Sequence, residues 1–312
     1  MNEFSLIRHY FTGIGVDDPD VALAVGDDAA LLHQAGEGYW AVAADMLVEG
    51  RHFPVQCNPA LIAGRALRVN LSDMAAMGAR PRFYTLSISL PKADTGWLQE
   101  FSDSLQRESR QFSVSLVGGD TTAGPLSLSI QMIGEVQKPL LRSAADAGDD
   151  IWVTGHLGSA AAYVAKGFPD AAADDFAFAR FWQPEPRIGF ALQAAPHIKA
   201  AIDVSDGLWA DLGHICERSG LGARVEMSRL PFHAQLRQRC GDECEQLALT
   251  GGDDYELCFT AAPGERDSLQ KIAAQHQLPL TRIGETTQQR EQLCLNSAGK
   301  PVPVAQGGYQ HF

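Results

Sequence analysis

Val114-Ser115-Leu116-Val117-Gly118-Gly119-Asp120-Thr121-Thr122 sets the reading of the whole chain. A short β-rich run meets two glycines and then presents a bare carboxylate. Glycine lets the backbone turn sharply and lets a ligand approach closely. An aspartate just past a strand end is held by a rigid element yet faces outward, as a metal ligand needs. Taken alone, Gly-Gly-Asp is also an ordinary turn. The device recurs, however, at Val25-Gly26-Asp27-Asp28, Ala44-Asp45, Ile202-Asp203-Val204-Ser205-Asp206 and Gly251-Gly252-Asp253-Asp254, each after an apolar run. The repetition predicts several strand ends converging on one acidic, metal-binding site.

Around these segments the pattern is mixed α/β. Strands are expected at Val21–Val25, Ala29–Leu32, Tyr39–Ala43, Phe83–Leu90, Val114–Val117 and Leu126–Val136. Asn58-Pro59 opens a periodic helix over 60–77, stopped by Gly78-Ala79-Arg80-Pro81, and a second helix covers Thr95–Phe112. Composition shifts near Gln137-Lys138-Pro139, which places a domain boundary at 137–142. Beyond it, strands are expected at 151–154, 200–204, 223–227, 255–260 and 280–283. Helices are expected at 158–167, 184–195, 208–219, 231–240 and 265–276. Ala171 to Asp175 reads as a polar loop. The expected division is 1–140 and 141–312.

Bulk properties exclude several classes. The 312 residues carry a formal net charge of −13, which disfavours a nucleic-acid or anionic-membrane partner. Phosphorylated substrates remain compatible, because bound Mg²⁺ reverses the field locally. The six cysteines include no C-x-x-C pair; free thiols in a reducing cytoplasm are expected, and zinc is not. The first eleven residues read as a short amphipathic helix rather than a signal peptide, and no apolar run reaches membrane-spanning length.

Hard oxygen donors at Asp28, Asp45, Asp120, Asp203 and Asp206 suit Mg²⁺ shared with substrate phosphates. Asp73 joins from inside the first long helix, three residues from Asn70 and on its face; an arginine partner at Arg65 or Arg68 competes with a metal there. Asp206 and Ser205, just before Gly207 and a helix, also read as caps. There is no G-x-x-x-x-G-K-[ST] loop and no H-R-D catalytic loop. Phosphates would therefore be held mainly through metals, in metal-assisted phosphoryl transfer or hydrolysis.

Six blocks give the chain a family resemblance: Gly26-Asp27-Asp28-Ala29-Ala30, Leu47-Val48-Glu49-Gly50-Arg51-His52-Phe53, Asn70-Leu71-Ser72-Asp73-Met74-Ala75-Ala76-Met77-Gly78-Ala79, Gly118-Gly119-Asp120-Thr121-Thr122, Asp203-Val204-Ser205-Asp206-Gly207-Leu208 and Gly251-Gly252-Asp253-Asp254-Tyr255-Glu256-Leu257. In this order they resemble the thiamine-monophosphate kinases, within the superfamily of aminoimidazole ribonucleotide synthetase. The resemblance implies a two-domain α/β fold whose N-terminal domains pair into a β-barrel across a homodimer. It implies ATP-dependent phosphorylation of thiamine monophosphate to thiamine diphosphate by direct in-line transfer in the cytoplasm. It would give Asp28, Ala44, Asp45, Asp73, Asp120, Asp203 and Asp206 to several Mg²⁺ ions. Gly119, Asp120, Arg142 and Ser205 would contact ATP, and His52, Asp253 and Tyr309 the acceptor.

The chain departs from the pattern at Ala43-Ala44-Asp45-Met46, where the family usually has hydroxyl residues before the Asp, so Ala44 could offer only its carbonyl. Asp253 stands where many relatives have Glu. Three other readings remain: a synthetase of the same superfamily with another acceptor, a silent nucleotide-binding regulator, and a metal-dependent phosphatase. A selenide acceptor is disfavoured, because the first cysteine is Cys57.

Overall fold

A computed structural model describes residues 3–16, 18–168, 175–241 and 243–304. The chain builds two sheets in succession. Strands β1 (Val21–Leu23), β2 (Ala30–His33), β3 (Tyr39–Val48), β4 (Arg80–Leu90), β5 (Ser115–Ala123) and β6 (Ser127–Val136) form the first, in the order β1-β2-β3-β6-β4-β5. Helices α1 (Glu3–Tyr10), α2 (Pro59–Ala76) and α3 (Thr95–Phe112) accompany it. Strands β7 (Asp150–Thr154), β8 (Ala201–Asp203), β9 (Gly222–Glu226), β10 (Leu257–Ala261), β11 (Leu280–Thr287), β12 (Gln292–Leu295) and β13 (Pro301–Val302) form the second, in the order β13-β12-β9-β11-β7-β10-β8. Its helices are α4 (Ser159–Ala165), α5 (Phe176–Trp182), α6 (Ile188–Ala194), α7 (Leu208–Ser219), α8 (Ala234–Cys240), α9 (Glu243–Thr250) and α10 (Arg266–Gln275). Pairing is antiparallel except for β4–β5 and β9–β12.

Helix α2 joins the halves. Asn58 caps it by accepting from the Ala60 N–H at 2.7 Å, and Pro59 supplies a preset φ in the first turn. It ends where Gly78 takes φ +64° and the Ala79 N–H returns to the Met74 carbonyl. Ala, Gly and Ser along its length let other elements come close, and nearly every face is buried. It packs on β3 and β6 of the first sheet and on β8, α5 and α6 of the second half.

Two strands that carry expected site residues run further than expected. The Gly118-Gly119 pair does not end β5, which runs on through Asp120 to Ala123 beside β4. Register shifts by one at Val117, and Gly119 (φ +148°) lies so close to β4 that a Cβ would fall 1.8 Å from the Leu86 carbonyl oxygen. The glycines serve a bulge and a close approach, not a stop. Likewise Asp45 lies inside β3 rather than at its end. Sequence periodicity matches α3 and α7 at both ends, whereas α5, α9, β12 and β13 had no expected counterpart. The 231–240 helix starts only at Ala234, and Tyr255 precedes β10. Positions 171–174 of the expected polar loop lie outside the described residues.

The second half carries two ionic anchors. Glu256, 1% exposed, takes Arg187 on both oxygens at 2.6 and 2.5 Å, plus the Thr154 hydroxyl at 2.7 Å. Asp150, equally buried, is held by Arg266 and Arg282. Burial alone would raise the Asp150 carboxyl, but the two guanidinium groups outweigh it and hold it below its ordinary value of 3.8.

Removing one partner of a buried pair strands the other charge. Glu256→Ala should therefore cost about 3–5 kcal/mol in urea unfolding; a loss under about 1 kcal/mol, the size of a surface pair, would show the network to be dispensable. Asp150 gives a pH signature. Its folded-state value is depressed, so its contribution is present above 3.8 and is lost as pH falls through the folded value. The stability gap between wild type and Asp150→Asn should be constant near neutrality and close in acid; a gap that widens there contradicts the assignment.

Candidate active site

A cleft of about 490 Å³ opens between the two sheets, within the range usual for small-ligand sites. One end is acidic. Asp28, just ahead of β2, Asp73 in the last turn of α2 and Asp203, the last residue of β8, each offer an oxygen within 4.8 Å of the others. Asp45, Asp206, Ser205 and Ala44 line the same space.

Local hydrogen bonds explain the convergence. Asn70, fully buried, accepts from the Asp45 N–H at 3.0 Å and donates to the Ala66 carbonyl, tying β3 to α2. The Ser72 hydroxyl donates to Asp203 Oδ2 at 2.7 Å, tying α2 to β8. Asp73 lies between these two ties. Arg142 closes the ring, donating from Nη2 to Asp28 Oδ1 at 2.6 Å and from Nε to Oδ2 at 3.2 Å. Its own N–H donates to Asp27 Oδ2. Burial and the adjacent Asp28 push the Asp27 carboxyl up to about 6, against the pull of Arg142.

The arginine expected beside Asp73 is not there. Arg68 is spent on Glu108 at 2.8 Å and on the Pro184 carbonyl, and Arg65 pairs with Asp253. Burial, then the charges of Asp45, Asp203 and Asp28, hold the Asp73 carboxyl well above its ordinary value. Burial and Asp28 do the same to Asp203. Two like charges about 4 Å apart repel by about 4 kcal/mol at a protein-like effective dielectric. Three such contacts approach the whole stability of a domain, about 5–15 kcal/mol. Arg142 answers Asp28, so Asp73 and Asp203 are the acids left to require protons or a further cation, and an all-oxygen set of carboxylates fits Mg²⁺.

The cap reading of Asp206 and Ser205 also falls. Gly207 occupies the cap position of α7 without a side-chain bond, while Asp211 accepts from the Asp206 and Gly207 N–H groups at 3.2 and 3.0 Å. Both side chains line the cleft instead.

The other end is aromatic. Phe168, Phe181, Tyr255 and Val164 face it together with Arg65, Asp253 and His52. His52 Nδ1 accepts from the Val48 N–H at 3.0 Å, which in the neutral ring puts the proton on Nε2. Asp254 and Glu256 are buried supports: Asp254 accepts from the Gly158 N–H at 2.8 Å. Gly119 and Asp120 do not reach this cleft, since β5 is exposed along its whole length. Tyr309 lies outside the described residues. Sequence alone does not single out Phe168, Phe181 or Ser72 as site residues, and it offers Arg65 only as an alternative partner of Asp73; Ser72 is the one with a local signal, since it directly precedes Asp73.

Two successive α/β halves meeting on a carboxylate-lined cleft define the class of the AIR synthase related proteins. The family model of their N-terminal domain matches residues 26–136, and that of their C-terminal domain matches 146–293. Within that class the chain belongs to the thiamine-monophosphate kinase family. It is 43% identical over 320 residues to the thiamine-monophosphate kinase of Escherichia coli (strain K12), covering 99% of this chain and 98% of the relative. A crystal structure of the thiamine-monophosphate kinase from Stenotrophomonas maltophilia K279a superposes with a TM-score of 0.81 at 43% identity, over 92% of this chain and 93% of that one. AaThiL complexed with AMPPCP and TMP superposes with a TM-score of 0.85 at 25% identity, over 100% and 97%.

Neutralising one crowded acid tests the acidic end. In EDTA, Asp73→Asn should melt at the wild-type temperature or above it, and Mg²⁺ should raise the melting point of wild type but not of the variant. A lower melting point in EDTA would mean that Asp73 already has a satisfied partner.

Proposed function

We propose that this protein transfers the γ-phosphoryl group of ATP to thiamine monophosphate, giving thiamine diphosphate and ADP. The observation that carries the reading is the single cleft with three converging carboxylates at one end and an aromatic wall at the other. Membership of the thiamine-monophosphate kinase family supports it, as does the superposition on AaThiL complexed with AMPPCP and TMP.

The nucleophile is a phosphate oxygen that is already anionic, so no general base is needed. The barrier is mainly repulsion between donor and acceptor anions. We assign Asp28, Asp73 and Asp203, with Asp45, the Ala44 carbonyl and Asp206, to several Mg²⁺ ions, which when bound would supply charge neutralisation and alignment of phosphate oxygens; Asp120, outside this cleft, would join them only across a subunit boundary. Arg142, Ser205, Gly119 and Asp120 are assigned to ATP; the Arg142 fork, which holds Asp28 here, would exchange that carboxylate for phosphate oxygens. His52 would donate from Nε2 to the acceptor. Asp253 and Tyr309 would recognise its aminopyrimidine.

We assign 1–140 to nucleotide and metal binding and dimerisation, and 141–312 to closing the cleft. Exposure of the whole β5 edge, including Leu116 and Val117 at 50% and 58%, supports pairing of two N-terminal domains into a barrel in a homodimer. It would also give Gly119 and Asp120 a role at the subunit boundary. We place the enzyme in the cytoplasm; six cysteines that form no disulfide suit a reducing compartment, and no helix among the described residues is long and apolar enough to cross a membrane.

A phosphorus NMR time course with ATP, Mg²⁺ and thiamine monophosphate, run beside Asp45→Asn, tests the proposal. ADP and thiamine diphosphate should appear together, only with Mg²⁺, and at least about 100-fold more slowly in the variant. Untouched ATP, or ATP split to free phosphate with the acceptor unchanged, sinks the thiamine reading. The first outcome points to another acceptor of the superfamily, the second to a phosphatase.

A further inference from the structure

The aromatic end of the cleft contains an ion pair of which the reaction as described uses only Asp253. Arg65, on α2, has a side chain only 3% exposed and forms its salt bridge with Asp253, 188 residues away, from Nη2 to Oδ1. Its Nη1 donates to the Phe181 carbonyl, and the guanidinium carbon lies 3.9 Å from the centre of the Phe181 ring and 5.6 Å from that of Tyr255. Nε is buried and has no hydrogen-bond partner among the described residues. Leaving that donor unpaired costs free energy, which the contacts of the other two nitrogens offset.

Its partner is held just as tightly. Asp253 and Tyr255 both take left-handed backbone conformations, φ +69° and +50°, which side-chain-bearing residues rarely adopt. Their N–H groups are pinned to the Ser205 and Val204 carbonyls at 2.8 Å each. Gly252 has no room for a side chain, since a Cβ there would lie 2.5 Å from the Ser205 carbonyl oxygen. Tyr255 OH donates to the same Oδ1 at 3.3 Å. Oδ1 is thus committed twice, and Oδ2 has no partner among the described residues while Asp253 lines the cleft, with its side chain 31% exposed.

We propose that Arg65 is a positioning residue for acceptor specificity. Stacked on Phe181, it clamps one oxygen of Asp253 so that the other is presented in one orientation to the exocyclic amine of an aminopyrimidine lying in the aromatic end of the cleft. A site built to pair a particular donor rejects analogues lacking it far more strongly than an apolar slot does. Arg65 also keeps the local charge near neutral, so the anionic carboxylate does not oppose the acceptor's phosphate. This inference rests on the thiamine monophosphate reading above.

The test is a kinetic double-mutant cycle of Arg65→Met, Asp253→Asn and the pair, with Arg65→Lys as the conservative variant. A second acceptor, the 4-oxo analogue of thiamine monophosphate, lacks the amine. Arg65→Met should raise KM for thiamine monophosphate about 10- to 100-fold, the range for a lost charged hydrogen bond, with KM for ATP and kcat nearly unchanged. The double variant should be no worse than Asp253→Asn alone, because Arg65 acts through Asp253. Wild type should discriminate against the 4-oxo acceptor, Arg65→Met much less, and Arg65→Lys should recover part of the discrimination. Additive losses, an equal rise in KM for ATP, or unchanged discrimination each overturn the role. If Arg65→Met does not fold, Arg65→Lys alone decides: full wild-type discrimination with a raised KM for both substrates rejects the proposal. A wild type that cannot use thiamine monophosphate removes the functional reading and this one together, whereas an active wild type with additive variants removes only the role of Arg65.

Discussion

Mutual repulsion among Asp28, Asp73 and Asp203 is the constraint on which the rest of the structure depends. Each acid comes from a different element, and the three oxygens meet in largely buried space. Nothing about such a cluster is self-assembling, since burial and like charge both oppose it. It persists because packing fixes α2 and β8, while Arg142 on Asp28 and Ser72 on Asp203 answer part of the charge. β8 is the edge strand of a seven-stranded sheet but is fully buried and paired with β10, α2 is buried on nearly all sides, and the turn before β2 is tied down by Arg142. The hydrophobic packing that makes the fold thus supplies the free energy that holds the site in an unfavourable electrostatic state.

Helix α2 converts that packing into geometry. Within four residues it presents Asn70 to β3, Ser72 to β8 and Asp73 to the space between. One turn earlier it presents Arg65 to the opposite end of the cleft. A rigid helix therefore sets the distance between the acidic and aromatic ends, which is the distance an in-line transfer must respect. Loops of equal composition could not hold those four side chains to a fraction of an ångström.

Legibility followed the range of the interactions. Helix α7 could be read to the residue because Gly207 and Gly220 flank a periodic run, and α3 because Asp94 caps it by accepting from the Trp97 N–H. The acidic residues could be named because their motif blocks are local. β5 was cut short because a glycine pair has two physical uses, a turn or a close strand contact, and only the neighbouring strand decides between them. The partner of Asp73 could not be read either. Arg65 and Arg68 are nearer in sequence, yet their charges go to Asp253 and Glu108, choices made by packing across the two halves. Phe168 and Phe181 look like ordinary core aromatics until α5 is seen beside the cleft.

The two ends of the cleft also explain the absence of the usual catalytic side chains. A kinase acting on a hydroxyl must remove a proton, and so needs a base near its nucleophile. A phosphate acceptor brings its own negative charge, so the chemistry asks for cancellation of charge and for aim, not proton transfer. Cancellation belongs to the acidic end, through the cations that the carboxylates can hold. Aim must come from the part of the acceptor that does not react, because a phosphate alone carries little orientation. On the proposed reading, a planar ring beside Tyr255, with one fixed hydrogen-bond acceptor at Asp253, would supply that orientation from remote binding energy. On this view the strained Gly251–Tyr255 turn and the buried acids are two halves of one device, joined by the length of α2 between Arg65 and Asp73.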